Sequence, residues 1–216
     1  MVYHMAKGFR AAIVLFILIA GLAVSSGCLS TFFGPPPAIT RPPAAVTATP
    51  SPESPTATLH AAEMALAPED IAGDYSLRDR SVIAYDEVGQ LSRDMGWIQG
   101  YRVVYYHQNL GNDDVTGIRQ VIAIYPLESI NRVYSIEKDS LLLQENGTKK
   151  YMIPFPRIGD KSIAIRVIEP EDPRDMVVYS VLFVKKNVCE QITMGGTTTD
   201  YESLKSLAIR AADRIH

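Results

Sequence analysis

The stretch Thr31–Leu59 decides how much of this 216-residue chain can fold. It holds eight prolines and six threonines, and Arg41 and Glu53 are its only charged residues. A segment of that composition cannot bury enough apolar surface to offset the entropy of ordering it. Proline keeps it extended, so it reads as a semi-rigid spacer. Everything before it is too short for a domain. The folded body is therefore expected after it, over residues 64–216, with 28–63 as tether and 1–27 as a separate N-terminal unit.

That N-terminal unit has three parts. Lys7 and Arg10 supply positive charge and no acid occurs before residue 28. Ala11–Val24 is an uncharged run of 14 residues, and Ser25, Ser26 and Gly27 are small. Basic, then apolar, then small is the layout of an export signal. As a helix the apolar run reaches roughly 21 Å, short of the ~30 Å hydrocarbon core. An uncleaved membrane anchor remains the alternative, and both readings put the body on the extracytoplasmic side.

Charge narrows the partners. Without residues 1–27, 19 Lys+Arg face 24 Asp+Glu, a formal charge of −5. An acidic body argues against nucleic acid or anionic lipid as a main partner, since both are held largely by Lys and Arg. Two cysteines, Cys28 and Cys189, and four scattered histidines provide no zinc-ligand spacing, so no metal and no cofactor is expected.

The segment "VSSGC" resembles the lipobox of prokaryotic lipoprotein precursors, archaeal ones included. Ser26, Gly27 and Cys28 match its last three positions, while Ser25 stands where an aliphatic residue is usual. The resemblance implies cleavage after Gly27 and lipid attachment at Cys28. Asn146 in "NGT" is a potential N-glycosylation acceptor.

Within the body, "YSLRDRSVIAY" (Tyr75–Tyr85), "YRVVYYHQ" (Tyr101–Gln108), "IRQVIAIY" (Ile118–Tyr125), "SIAIRVI" (Ser162–Ile168), "MVVYSVLFV" (Met176–Val184) and "VCEQITM" (Val188–Met194) read as strands. A nine-residue loop, Asn109–Gly117, joins the second and third. The nearly all-apolar Met176–Val184 suggests a strand covered on both faces. Lys186-Asn187 suits a tight turn, with Asn187 expected to take the positive φ.

Helical spacing marks Asp86–Gly96, Leu127–Gly147 and the C-terminal run from Leu204 to Ile215, where Thr199 and Glu202 suggest a capping box. The expected fold is α+β: about six mostly antiparallel strands packed against three helices. Gly96-Trp97 with Gly100-Tyr101, the "IGD-x-S" of Ile158–Ser162, Val178–Val188 and Ala208–Ile215 resemble a PsbP-like α/β/α sandwich and uncharacterised prokaryotic lipoproteins. That resemblance implies a binding or accessory module.

Catalytic motifs are absent from the sequence: there is no glycine-rich phosphate loop, no G-x-S-x-G and no H-E-x-x-H. His107 and His216, the last residue of the sequence, are the plausible ordered bases, and Cys189 reads as a small, partly buried thiol. Cys189 is expected on one strand face, opposite Val188, Ile192 and Met194. The acidic loops Gly111–Asp114 and Glu169–Asp175 could hold a hard cation but read first as solvated turns. Trp97, Tyr101 and Tyr105 are candidates for an aromatic ligand platform. The resulting expectation is a non-enzymatic, membrane-anchored binding module for an unidentified ligand or envelope protein. A surface hydrolase assembled from distant residues, or an accessory subunit of an envelope complex, is the alternative.

Overall fold

The computed structural model describes residues 60–109, 114–144, 147–168 and 176–216. Cys28, Gly27, Asn146 and most of both acidic loops lie outside them. The described residues form one seven-stranded sheet with neighbouring strands antiparallel throughout. In chain order the elements are α1 (Ala61–Met64), β1 (Ser76–Ile83), α2 (Gln90–Asp94), β2 (Gln99–Asn109), β3 (Asp114–Ile124) and α3 (Ile130–Leu142). Then follow β4 (Lys149–Ile153), β5 (Lys161–Ile168), β6 (Val177–Lys185), β7 (Val188–Gly196) and α4 (Tyr201–Asp213). The spatial order is β1-β2-β3-β7-β6-β5-β4.

Strand parity separates two cores. One face collects Val103, Tyr105, Ile118, Ile122, Val181, Phe183, Val188 and Ile192, all closed to solvent by α4 and by the segment containing α1. Burying an aromatic such as Phe183 contributes about 1.5–3 kcal/mol before entropy is counted. The opposite face gathers Tyr125, Leu182, Val184 and Cys189 beneath Ile130, Val133 and Tyr134 of α3. On β6, Ser180–Val184 is buried without a break, so that run is covered on both sides as its composition predicts.

The α+β class and antiparallel sheet agree with expectation, and four details change. A seventh strand, β4, lies in "KKYMI", which is not among the six strands expected from the sequence; it pairs only with β5 and leaves Met152 64% exposed. A lone inward residue, Ile153, and the prolines at 154 and 156 explain why its pattern is faint. A fourth short helix, α1, straddles the expected start of the body, with Ala61 and Met64 both buried. Strands β2 and β3 pair as far as Asn109 with Asp114, so the loop between them is far shorter than nine residues.

The fourth change concerns turn and cap chemistry. Lys186, not Asn187, takes the left-handed backbone, at φ 56°. The Asn187 side chain turns inward and donates to the Tyr125 carbonyl at 3.1 Å. Helix α4 is capped by Asp200, whose carboxylate accepts from the backbone of Glu202 and Ser203. The "IGD-x-S" segment braces the same hairpin. Gly159 adopts φ 59°, and a Cβ there would sit 2.4 Å from the Val184 carbonyl, so the position requires glycine. Asp160 then accepts from the Lys186 N–H at 2.8 Å, and the Ser162 hydroxyl accepts from the Ile158 N–H.

Candidate functional site

A groove of about 310 Å³ opens where the N-terminal half of α4 passes the Asp70–Tyr75 segment. Its floor is Ile118 and Met194 from β3 and β7, with Leu207 from α4, all three buried apolar side chains. Tyr75, Thr198, Ser203 and Ser206 set hydroxyls around the rim, together with Asp70, Asp200, Glu202 and Arg210. Small-ligand sites combine an apolar surface with a few convergent polar groups, and this groove offers both, with a more polar rim than most.

The rim charges are already engaged. Asp70 pairs with Arg214 at 2.5 Å, and Asp200 accepts from Ser203 and Glu202. Glu202 pairs with Lys205, and Arg210 donates to the Asp70 carbonyl at 2.7 Å. The Ser203 hydrogen bonds, Oγ first, hold the Asp200 carboxyl below its usual range. Asp70 and Glu202 thus face cations, while Asp200 and Arg210 are held by uncharged hydrogen-bonding groups.

Behind the floor lies a closed polar chain that strand parity alone should have revealed. Glu190 shares the inward face of β7 with Val188, Ile192 and Met194, and is fully buried. Its Oε1 accepts from Gln120 Nε2 at 2.7 Å, and Gln120 Oε1 accepts from the Leu66 N–H at 2.7 Å. The Leu66 carbonyl accepts from Tyr105 Oη at 2.9 Å. Burial pushes the Glu190 carboxyl up to about 8, against smaller downward pulls from the Gln120 hydrogen bond and the Arg214 charge. It is therefore protonated near neutrality. Among the described residues, two buried polar atoms have no hydrogen-bond partner, Glu190 Oε2 and Arg166 Nε. The Arg166 guanidinium lies 6.0 Å from the centre of the Tyr179 ring.

The three candidate platform aromatics do not share a surface. Tyr105 is 1% exposed and spends its hydroxyl on Leu66, while Tyr101 packs half-buried on the same core. Trp97 packs against the other core, its ring 6.1 Å from that of Tyr85. His107 and Cys189 are also apart. His107 is paired with Thr116 near one end of the sheet, its Nδ1 2.9 Å from the Asp74 carbonyl. Cys189 is paired with Ala123 near the other end. Burial, with lesser contributions from Glu137 and Glu190, pushes its thiol well up, the opposite of an activated nucleophile.

The chain matches no family model and no curated protein. Among solved structures it is similar to the extracellular domain of PknH from Mycobacterium tuberculosis. The superposition has a TM-score of 0.55 at 9% identity and covers 70% of this chain and 92% of that one. At such identity the likeness is one of fold.

Proposed function

We propose that this chain is a membrane-tethered, extracytoplasmic, non-enzymatic binding module, with its ligand seat in the groove between α4 and the Asp70–Tyr75 segment. The observation that carries the reading is the groove itself: an apolar floor beneath a hydrogen-bonded polar rim. The fold neighbour supports the address, because it too is an extracellular domain. On this reading Gly27 is the last residue removed, Cys28 receives the lipid, and the Pro/Thr-rich segment holds the domain off the bilayer. The remoteness of His107 from Cys189 supports a binding rather than a hydrolytic role.

The ligand class follows from the apolar floor and the rim hydroxyls. An uncharged molecule with an apolar face and hydroxyl or amide groups would meet Ile118, Met194 and Leu207 below and the serine and threonine hydroxyls above. Titrating uncharged alkyl glycosides and blocked dipeptides while recording backbone amide shifts tests this. The expected result is a cluster of shifts at Ile71, Tyr75, Met194 and Ser206, abolished by Ser206→Trp, which roofs the groove from an exposed helix position. Shifts confined to another surface would overturn the assignment.

A further inference from the structure

One apolar corner lies outside the groove, and its Tyr85, Leu91 and Ile98 belong to neither core. The 3-10 turn Tyr85–Glu87, helix α2 and the start of β2 bring Tyr85, Leu91 and Ile98 to the surface beside Trp97, which is half-buried against the α3-side core. Tyr85 is 62% exposed, Ile98 55% and Leu91 42%, although each is a large apolar or aromatic residue. Their backbones are held firmly. The Trp97 N–H donates to the Ser92 carbonyl at 3.1 Å, and the Ile98 N–H donates to Ile124 at 2.9 Å. Arg93 clamps the turn by donating to the Tyr85 carbonyl at 3.3 Å, its guanidinium 5.4 Å from the Tyr85 ring centre. Gly100 lies beneath the indole, where a Cβ would come 3.1 Å from Trp97 Cζ2. The corner is thus rigid, apolar and outward-facing.

We propose that this corner is a bilayer-docking surface, bringing the exposed Tyr85, Leu91 and Ile98, with Trp97 at their edge, to the headgroup level of the membrane to which the proposed tether attaches the chain. Tryptophan and tyrosine favour that depth because each carries an apolar ring and a polar tip. The arrangement of the chain supports the occupant. Fifty-nine residues precede His60, among them the apolar run and the proline-rich spacer, so the body is kept near one bilayer at high effective concentration. Hydrogen bonds trace the end of the body where this corner lies. Tyr125, next to Ile124, bonds Asn187 of the β6–β7 hairpin. Lys185 of that hairpin donates to the Ala212 carbonyl at the end of α4, and Arg214 donates to the Ala65 carbonyl at 2.8 Å. Ala65, five residues after His60, is therefore tied to the same end. Asp86, Glu87 and Asp94 border the corner and are unfavourable toward anionic headgroups, so the surface fits a zwitterionic bilayer.

The proposal rests on the membrane-tether reading, and one experiment separates the two. Trp97 is the only tryptophan in the chain, so its emission reports on the corner without a label. The full chain is reconstituted with phosphatidylcholine vesicles brominated near the glycerol end of the acyl chains, and flotation records whether it associates. The expected result is flotation together with roughly twofold quenching of Trp97, reflecting headgroup-depth insertion. The quenching is lost in a Tyr85→Ser, Ile98→Ser double variant that still floats; both positions are exposed, so the fold is retained. Flotation with Trp97 unquenched overturns the docking surface alone, and would hold equally if the corner served a protein partner. A chain that does not float overturns both readings.

Discussion

Gln120 and Glu190 meet at 2.7 Å in the closed interior, on neighbouring strands β3 and β7. The contact ties the two central strands to the Leu66 backbone, and through it to the segment that borders the groove. A buried acid in this position makes stability depend on pH.

Glu190 has its folded pKa raised to about 8 by burial, while in the unfolded chain it titrates near its ordinary value of 4.5. Below the ordinary value both states are protonated and the group has no effect. Between there and about 8 the unfolded state loses the proton and the folded state keeps it, so stability falls as pH rises, by about 1.4 kcal/mol per unit from this group. Urea unfolding at several pH values checks the slope. Glu190→Gln removes this component and leaves the variant at least as stable as the parent at pH 8.

Tyr105→Phe deletes the hydroxyl that satisfies the Leu66 carbonyl in a buried setting. The expected loss is about 1–3 kcal/mol in denaturant unfolding, because the carbonyl is left without a partner. The ring itself remains, so the packing of the core is unchanged.

Two turn positions should respond with opposite signs. Lys186 sits at φ 56°, where L residues are strained, and its N–H to Asp160 survives substitution, so Lys186→Gly should stabilise by up to about 1 kcal/mol. Gly159→Ala forces a Cβ to within 2.4 Å of the Val184 carbonyl and should cost about 2 kcal/mol or more. Thermal unfolding of both variants measures the pair.

Cys189 is buried with its thiol pushed up. A thiol-specific disulfide reagent should leave it unmodified in the native protein at pH 8 and react fully in urea. Rapid native labelling would mean that the α3 side of the sheet opens readily.

Much of the fold was legible because its strands are long, apolar and adjacent in sequence, as in Val177–Lys185 followed by Val188–Gly196. β4 escaped because an edge strand with no fully buried residue has no strong alternation. Asn187 and Thr199 carry the right chemistry for a turn and a cap, but the neighbouring Lys186 and Asp200 took those positions once tertiary contacts were made. Tyr105 and Trp97 looked alike in sequence and ended on different cores, since parity sends one inward and a turn sends the other to a corner. The groove had no sequence signature at all. It combines β3, β7, α4 and a loop that meet only in the folded chain. Glu190 was legible in principle, as an acid in the apolar parity set of β7.

The central claim, a folded module held at a membrane by its N-terminus, is tested most directly by the intact mass of the protein purified from its own membranes. The account predicts a chain beginning at Cys28, heavier than its sequence by a lipid and light by residues 1–27. An unmodified chain still beginning at Met1 would contradict lipid attachment at Cys28.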